Sequence, residues 1–279
     1  FPYTTLFRSV NLSILSALAP DETMTMGTVL GGAGTRGSKS ILARVAGPAL
    51  AQLGVADVLP DPQMGIRSAL TGRTLAVNDD WGGTATLVSA FQGVGAFSFA
   101  AADSKDAALF QPSLGDGGYT VELSDTQGRP GVAIAELYDA TPRPGFSGVT
   151  PRLINVSVRK QIPADTALTA GFVVGGTTAR TVLIRGIGPG LAAFGVTETI
   201  SDPQLTLFGA NAAMLAENDN WSGGAALAAA SGTVGAFAIA SPTSNDAMLL
   251  LTLPPGSYTV RLDGKGAGGN ALVEVYEVP

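Results

Sequence analysis

Residues 168–185 read LTAGFVVGGTTARTVLIR, and this stretch sets the fold class. Residues 168–174 and 181–185 are short apolar runs rich in β-branched side chains, and Gly175-Gly176-Thr177-Thr178 between them is a turn signal. Working outward, residues 153–158 alternate apolar and polar positions. Residues 204–208, 248–253, 257–262 and 271–278 are further strand-like runs, each bounded by Gly, Pro, Asn or Asp. Two stretches break the pattern. Gly190-Leu-Ala-Ala-Phe194 predicts a helical turn, and the Ala-rich residues 223–230 predict a short helix.

The same signals occur twice along the chain. Arg44 in Ala43-Arg44-Val-Ala-Gly47-Pro48 matches Arg185 in Ile184-Arg185-Gly-Ile-Gly188-Pro189, 141 residues on. Asn78-Asp79-Asp80-Trp81 returns as Asn218-Asp219-Asn220-Trp221, and Val94-Gly-Ala-Phe97 is identical to Val234-Gly-Ala-Phe237. Ser104-Lys105-Asp106 matches Ser244-Asn245-Asp246, and Glu136-Leu-Tyr138 matches Glu274-Val-Tyr276. The separation drifts from 144 to 138 residues, as small loop deletions would make it. With about seven or eight short strands per copy, the chain is expected to be all-β: two tandem β-sandwich domains, jelly-roll-like, with short helical insertions.

Residues 10–141 form the first copy and 152–279 the second. Between them, residues 142–151 are a stiff Pro/Gly linker. Residues 1–9, FPYTTLFRS, read as the translation of a short-read sequencing adapter and are set aside from fold reasoning.

Composition narrows the function classes. Of 279 residues, 46% are hydrophobic and 14% charged, which argues against disorder. The most apolar stretch, residues 247–253, is too short to span a membrane as a helix. The net charge is −6 and no basic stripe exists, so nucleic-acid binding has no electrostatic footprint. The first copy holds seven Lys/Arg against thirteen Asp/Glu, the second seven against nine, so the first is the better place for a cation. With no Cys and no His, thiolate zinc sites, disulfides, Cys nucleophiles and Ser-His-Asp triads are excluded.

Three groups of residues are candidates for chemistry. Asn78, Asp79, Asp80 and Asp106, with Asn218, Asp219, Asn220 and Asp246, supply the hard oxygens that Ca²⁺ requires. The alternative is an Asx turn that caps its own backbone while the Trp anchors the loop in the core. Arg44 and Arg185 either grip a ligand or form buried ion pairs with Asp61/Asp202 or Glu136/Glu274. Gly32-Ala-Gly34-Thr-Arg-Gly37 matches a dinucleotide fingerprint in letters only, because a strand rather than a helix follows it. We read it as a hairpin loop.

The segments Arg152-Leu-Ile-Asn-Val-Ser157, residues 183–191, Asn218-Asp-Asn-Trp221, Pro255-Gly-Ser-Tyr-Thr-Val260 and the ending from Ala271 resemble C-terminal-type repeats of large secreted proteins of environmental bacteria. The closing strands are also similar to pre-peptidase C-terminal domains. The resemblance implies a non-catalytic, extracellular module of a larger secreted or surface protein, with further domains upstream. Its work would be adhesion, display or spacing against a surface or matrix polysaccharide or protein, with Ca²⁺ as stabiliser. The alternative is a carbohydrate-binding accessory domain of a secreted hydrolase, and a third reading is assembly through edge strands. Buried Trp81 and Trp221 would favour the first reading, and an exposed groove lined by aromatic rings the second.

Overall fold

The computed structural model describes residues 9–142 and 147–279. The adapter-like segment up to Arg8 and the centre of the linker lie outside the described residues. The chain divides into two compact units meeting at Leu153/Ile154.

The first unit has eight strands: β1 (Ser9–Leu18), β2 (Met24–Gly31), β3 (Ser38–Ala46), β4 (Pro62–Ser68), β5 (Thr74–Asn78), β6 (Ala107–Gly115), β7 (Gly117–Asp125) and β8 (Gly131–Asp139). All the ladders are antiparallel. They run β1–β8, β8–β3 and β3–β6 in one sheet, and β2–β7, β7–β4 and β4–β5 in the other. First pairs with last, second with second-last, and so inward. This is a long hairpin rolled over on itself, the jelly roll.

The second unit repeats the plan with β9 (Arg152–Ile162), β10 (Ala167–Val174), β11 (Arg180–Ile187), β12 (Gln204–Phe208), β13 (Met214–Asn218), β14 (Ala247–Leu253), β15 (Gly256–Asp263) and β16 (Gly269–Glu277). Its sheets are β9–β16–β11–β14 and β10–β15–β12–β13.

This topology corrects one expectation. The glycine loops at 32–37 and 175–178 are not hairpins, since β2 and β3 lie in different sheets, as do β10 and β11. Each loop carries the chain from one sheet to the other. Gly34 and Gly37, with φ of 75° and 97°, supply a left-handed backbone that other residues rarely adopt.

Alternation places the core. In β10 every second residue is buried (Leu168, Ala170, Phe172, Val174), as expected of a sheet with one face in water. The inner faces mesh closely. A Cβ on Gly186 in β11 would come within 2.7 Å of Leu262 on β15 and 2.8 Å of Leu205 on β12.

Strands β3 and β11 depart from alternation, being buried on both faces over most of their length. A third layer accounts for this. The segment between β5 and β6 carries helix α2 (Ala85–Val94) and lies over the outer face of the β1–β8–β3–β6 sheet together with the short turn α1 (Pro48–Ala51). Leu87 and Phe91, one helical turn apart, point down onto that face beside Trp81 and Phe99. Helix α3 (Ala225–Thr233) covers the second unit in the same way.

Candidate functional site

The Asn-Asp-Trp turns anchor this third layer. At the end of β5 the Asn78 side-chain amide donates to Asp80 O at 2.9 Å, and its Oδ1 accepts the Ala108 amide at 2.9 Å. Trp81 donates its amide to Asp106 O and its indole N–H to Ala101 O, each at 2.9 Å. The second copy reproduces every one of these bonds, with Asn218, Asn220, Met248, Trp221, Asp246 and Ser241 in the matching roles. Both tryptophans are buried, at 6% and 8% exposure.

Asp106 and Asp246 are fully enclosed. Asp106 Oδ1 accepts the amides of Gly47 (2.8 Å) and Ala49 (3.2 Å), and Oδ2 accepts the Ser104 hydroxyl. Asp246 accepts the amides of Gly188 (2.8 Å) and Gly190 and the Ser244 hydroxyl (2.6 Å). Each carboxylate thus satisfies the unpaired amides that open the Gly-Pro turn.

The anticipated calcium ligands are therefore divided. Asn78, Asp106, Asn218 and Asp246 serve the fold. Asp79 is exposed, Asp80 pairs with Lys105 (2.9 Å), and Asp219 pairs with Lys265 (2.7 Å) and accepts from Asn220 (3.1 Å). The Lys265 ammonium, then the Asn220 amide, hold the Asp219 carboxyl below its usual range. Among the described residues no three acidic side chains form a cluster.

Beneath each cap lies the repeat-equivalent arginine. Arg44 is wholly buried on the cap-facing side of β3. Its Nε donates to Glu136 Oε2 at 2.9 Å, Nη1 donates to Phe97 O at 2.6 Å, and Nη2 lies 2.8 Å from Glu136. The guanidinium sits 4.2–4.7 Å from the ring centres of Phe97, Phe91 and Phe99. Tyr138 donates to Glu136 Oε1 at 2.6 Å, and burial followed by the Glu136 charge pushes its hydroxyl far above the usual range.

Arg185 repeats this with Glu274 (3.1 Å), Phe237 O (2.9 Å) and the Phe237 ring (4.3 Å). Of the two ion pairings open to the sequence, the structure adopts Glu136/Glu274. Asp61 instead accepts the Thr126 hydroxyl, and Asp202 meets Lys265.

Sequence reading missed three polar features of the first copy. Lys39 and Asp139 form a fully buried pair at 2.7 Å. Asp125 accepts the Asp61, Gln127 and Arg129 amides and the Arg129 guanidinium. Burial alone would raise the Asp125 carboxyl, but these donors together hold it below the ordinary range. The buried pair has charge-matched counterparts in Arg180 and Glu277, which the repeat comparison passed over because the residue types differ, whereas Asp125 falls opposite Gly264 and gave no signal.

The third is a groove of about 460 Å³ on the outer face of the β2–β7–β4–β5 sheet. Gln63, Arg67, Val77, Asp79, Glu122 and Ser124 line it, and no aromatic ring does. Arg67 is held there by Glu122 (2.9 Å) and by Gly72 O. Such a surface can hydrogen-bond hydroxyls or amides but offers no platform for ring stacking.

No family model matches this chain, and no curated protein matches it. Among solved structures it is similar to a fucolectin from striped bass (Morone saxatilis) serum, at 9% identity and a TM-score of 0.22, covering 95% of this chain and 85% of that one. Procruciferin, an 11S globulin of Brassica napus, follows at 6% identity and a TM-score of 0.18, covering 96% and 76%. Hazelnut (Corylus avellana) vicilin matches at 7% and 0.17, covering 96% and 74%. Likenesses this distant carry no argument about ligand. The fold rests on the ladders described above.

Proposed function

We propose that the chain is a pair of non-catalytic jelly-roll modules belonging to a larger secreted or cell-surface protein, acting in adhesion, display or spacing. The observation that carries this reading is the placement of both tryptophans. Trp81 and Trp221 spend their indole N–H groups on backbone carbonyls and their rings on holding the cap. The strongest polar groups, Arg44 with Glu136 and Lys39 with Asp139, are likewise enclosed and paired, with no room to meet a substrate. The modules therefore offer a rigid body rather than a reactive cleft.

The polar groove of the first copy favours a second reading, carbohydrate binding through hydrogen bonds alone. A glycan array probed with the intact chain, in Ca²⁺ and in EDTA, separates the two. Binding that Glu122→Gln and Gln63→Ala abolish would establish the carbohydrate reading. An empty array supports the structural one. Calcium in this scheme would stabilise the exposed turns at Asp79 and Asp80, and a melting temperature that rises with millimolar Ca²⁺ and falls with EDTA is its signature.

A further inference from the structure

The two caps share a backbone but not a filling. In the first copy Phe91 stacks on Trp81 with ring centres 5.5 Å apart and planes 16° apart, and Phe99 meets both rings edge-on. The second copy places Ser231 where Phe91 stands, 140 residues on, and Ile239 where Phe99 stands. The main chain holds the position. The Ala96 amide donates to Phe91 O at 3.0 Å, and the Ala236 amide to Ser231 O at 2.9 Å. Met248 replaces Ala108 and restores only part of the lost volume. What remains is a cavity of about 110 Å³ between α3 and the sheet, walled by Trp221, Ala228, Gly232, Ile239 and Met248. Ser231 also lines it. This residue is 4% exposed, and its hydroxyl has no hydrogen-bond partner.

A buried hydroxyl without a partner is costly, and an apolar void forfeits the contacts its walls could make. A cavity of roughly 150 Å³ with apolar walls accepts benzene, and the space here, at about 110 Å³ and open to solvent beside Ala228 and Gly232, has room for one ring at most. We propose that the cavity under α3 is a binding site for a small aromatic alcohol of the phenol class. The ring lies against the Trp221 indole, in the space that a phenylalanine ring fills in the first copy. The ligand hydroxyl meets Ser231 Oγ. The first copy, with its own ring in place, does not bind.

The test uses the intact chain with phenol and benzene as probes, followed by the two indole N–H resonances, which Trp81→Phe assigns. Millimolar phenol is expected to shift the Trp221 resonance saturably and leave that of Trp81 in place. Ser231→Phe fills the site, abolishing the shift and raising the melting temperature of the second copy. Ser231→Ala retains benzene but weakens phenol by about tenfold, the loss of one hydrogen bond. The proposal is overturned if neither probe moves the Trp221 resonance at 10 mM, roughly the weakest affinity worth calling a site. It is equally overturned if a folded Ser231→Phe variant still binds phenol as before.

Discussion

At the scale of single residues, the buried arginine dominates the first copy. Arg44 meets a carboxylate, a carbonyl and three rings, with no exposure to water. Arg44→Ala strands Glu136 as an uncompensated buried charge, which costs about 3–5 kcal/mol. Replacing both partners by apolar side chains of similar volume recovers most of that loss. Urea unfolding of the first copy measures it, and a loss below about 1 kcal/mol would remove the pair from the account. Asp125 governs the acid limb. Its folded carboxyl titrates below its unfolded value of about 3.9, so its contribution is complete above pH 4–5 and disappears as pH falls through the folded value. Asp125→Asn is expected to cost about 2 kcal/mol at neutral pH and progressively less as pH falls through the folded value. Stability measured across that range would show a flattened acid limb.

At the scale of elements, caps decide how firmly the third layer sits. Thr84 accepts the Leu87 amide at the start of α2, whereas α3 starts at Gly224 with no side-chain cap. Thr84→Ala should cost the first copy about 1 kcal/mol, and Gly224→Thr should stabilise the second by a few tenths, both read from thermal melts. The glycine of each Gly-Pro turn is fixed by close approach. A Cβ at Gly47 would collide with Leu59 O, and one at Gly188 with Ile200 O. Gly188→Ala is expected to unfold the second copy's cap, seen as a loss of the buried-Trp221 fluorescence signal.

At the scale of the whole molecule, each copy carries its own pair of four-stranded sheets and its own cap. Calorimetry should therefore resolve two transitions. The first copy should melt at the higher temperature, because its cap holds the Trp81, Phe91 and Phe99 cluster where the second holds a cavity. A single transition, or the reverse order, would contradict that reasoning. Edge pairing is restrained at β6, where Pro112 removes a donor. At β5, Leu75 and Val77 are exposed, and light scattering at raised concentration shows whether that edge recruits another molecule.

Duplication, the all-β class and seven of the second copy's eight strands were legible in the sequence, since alternation and turn residues report local conformation directly. Strand β13 escaped notice because Met214–Asn218 is an edge strand with little burial, so its residues carry no alternating signal. The run 168–185 shows the boundary most clearly. Its two strands were visible, yet the glycines between them gave no indication that the chain passes from one sheet to the other. Pairing partners are set by packing between distant segments, which local propensity does not encode. The same holds for the site residues. Asn, Asp and Arg announced themselves by type, but only tertiary structure turned Asp106 and Asp246 inward to backbone amides, chose Glu136 and Glu274 over Asp61 and Asp202, and left Ser231 facing a cavity. A carboxylate's chemistry is fixed by what surrounds it, and the surroundings come from opposite ends of each copy.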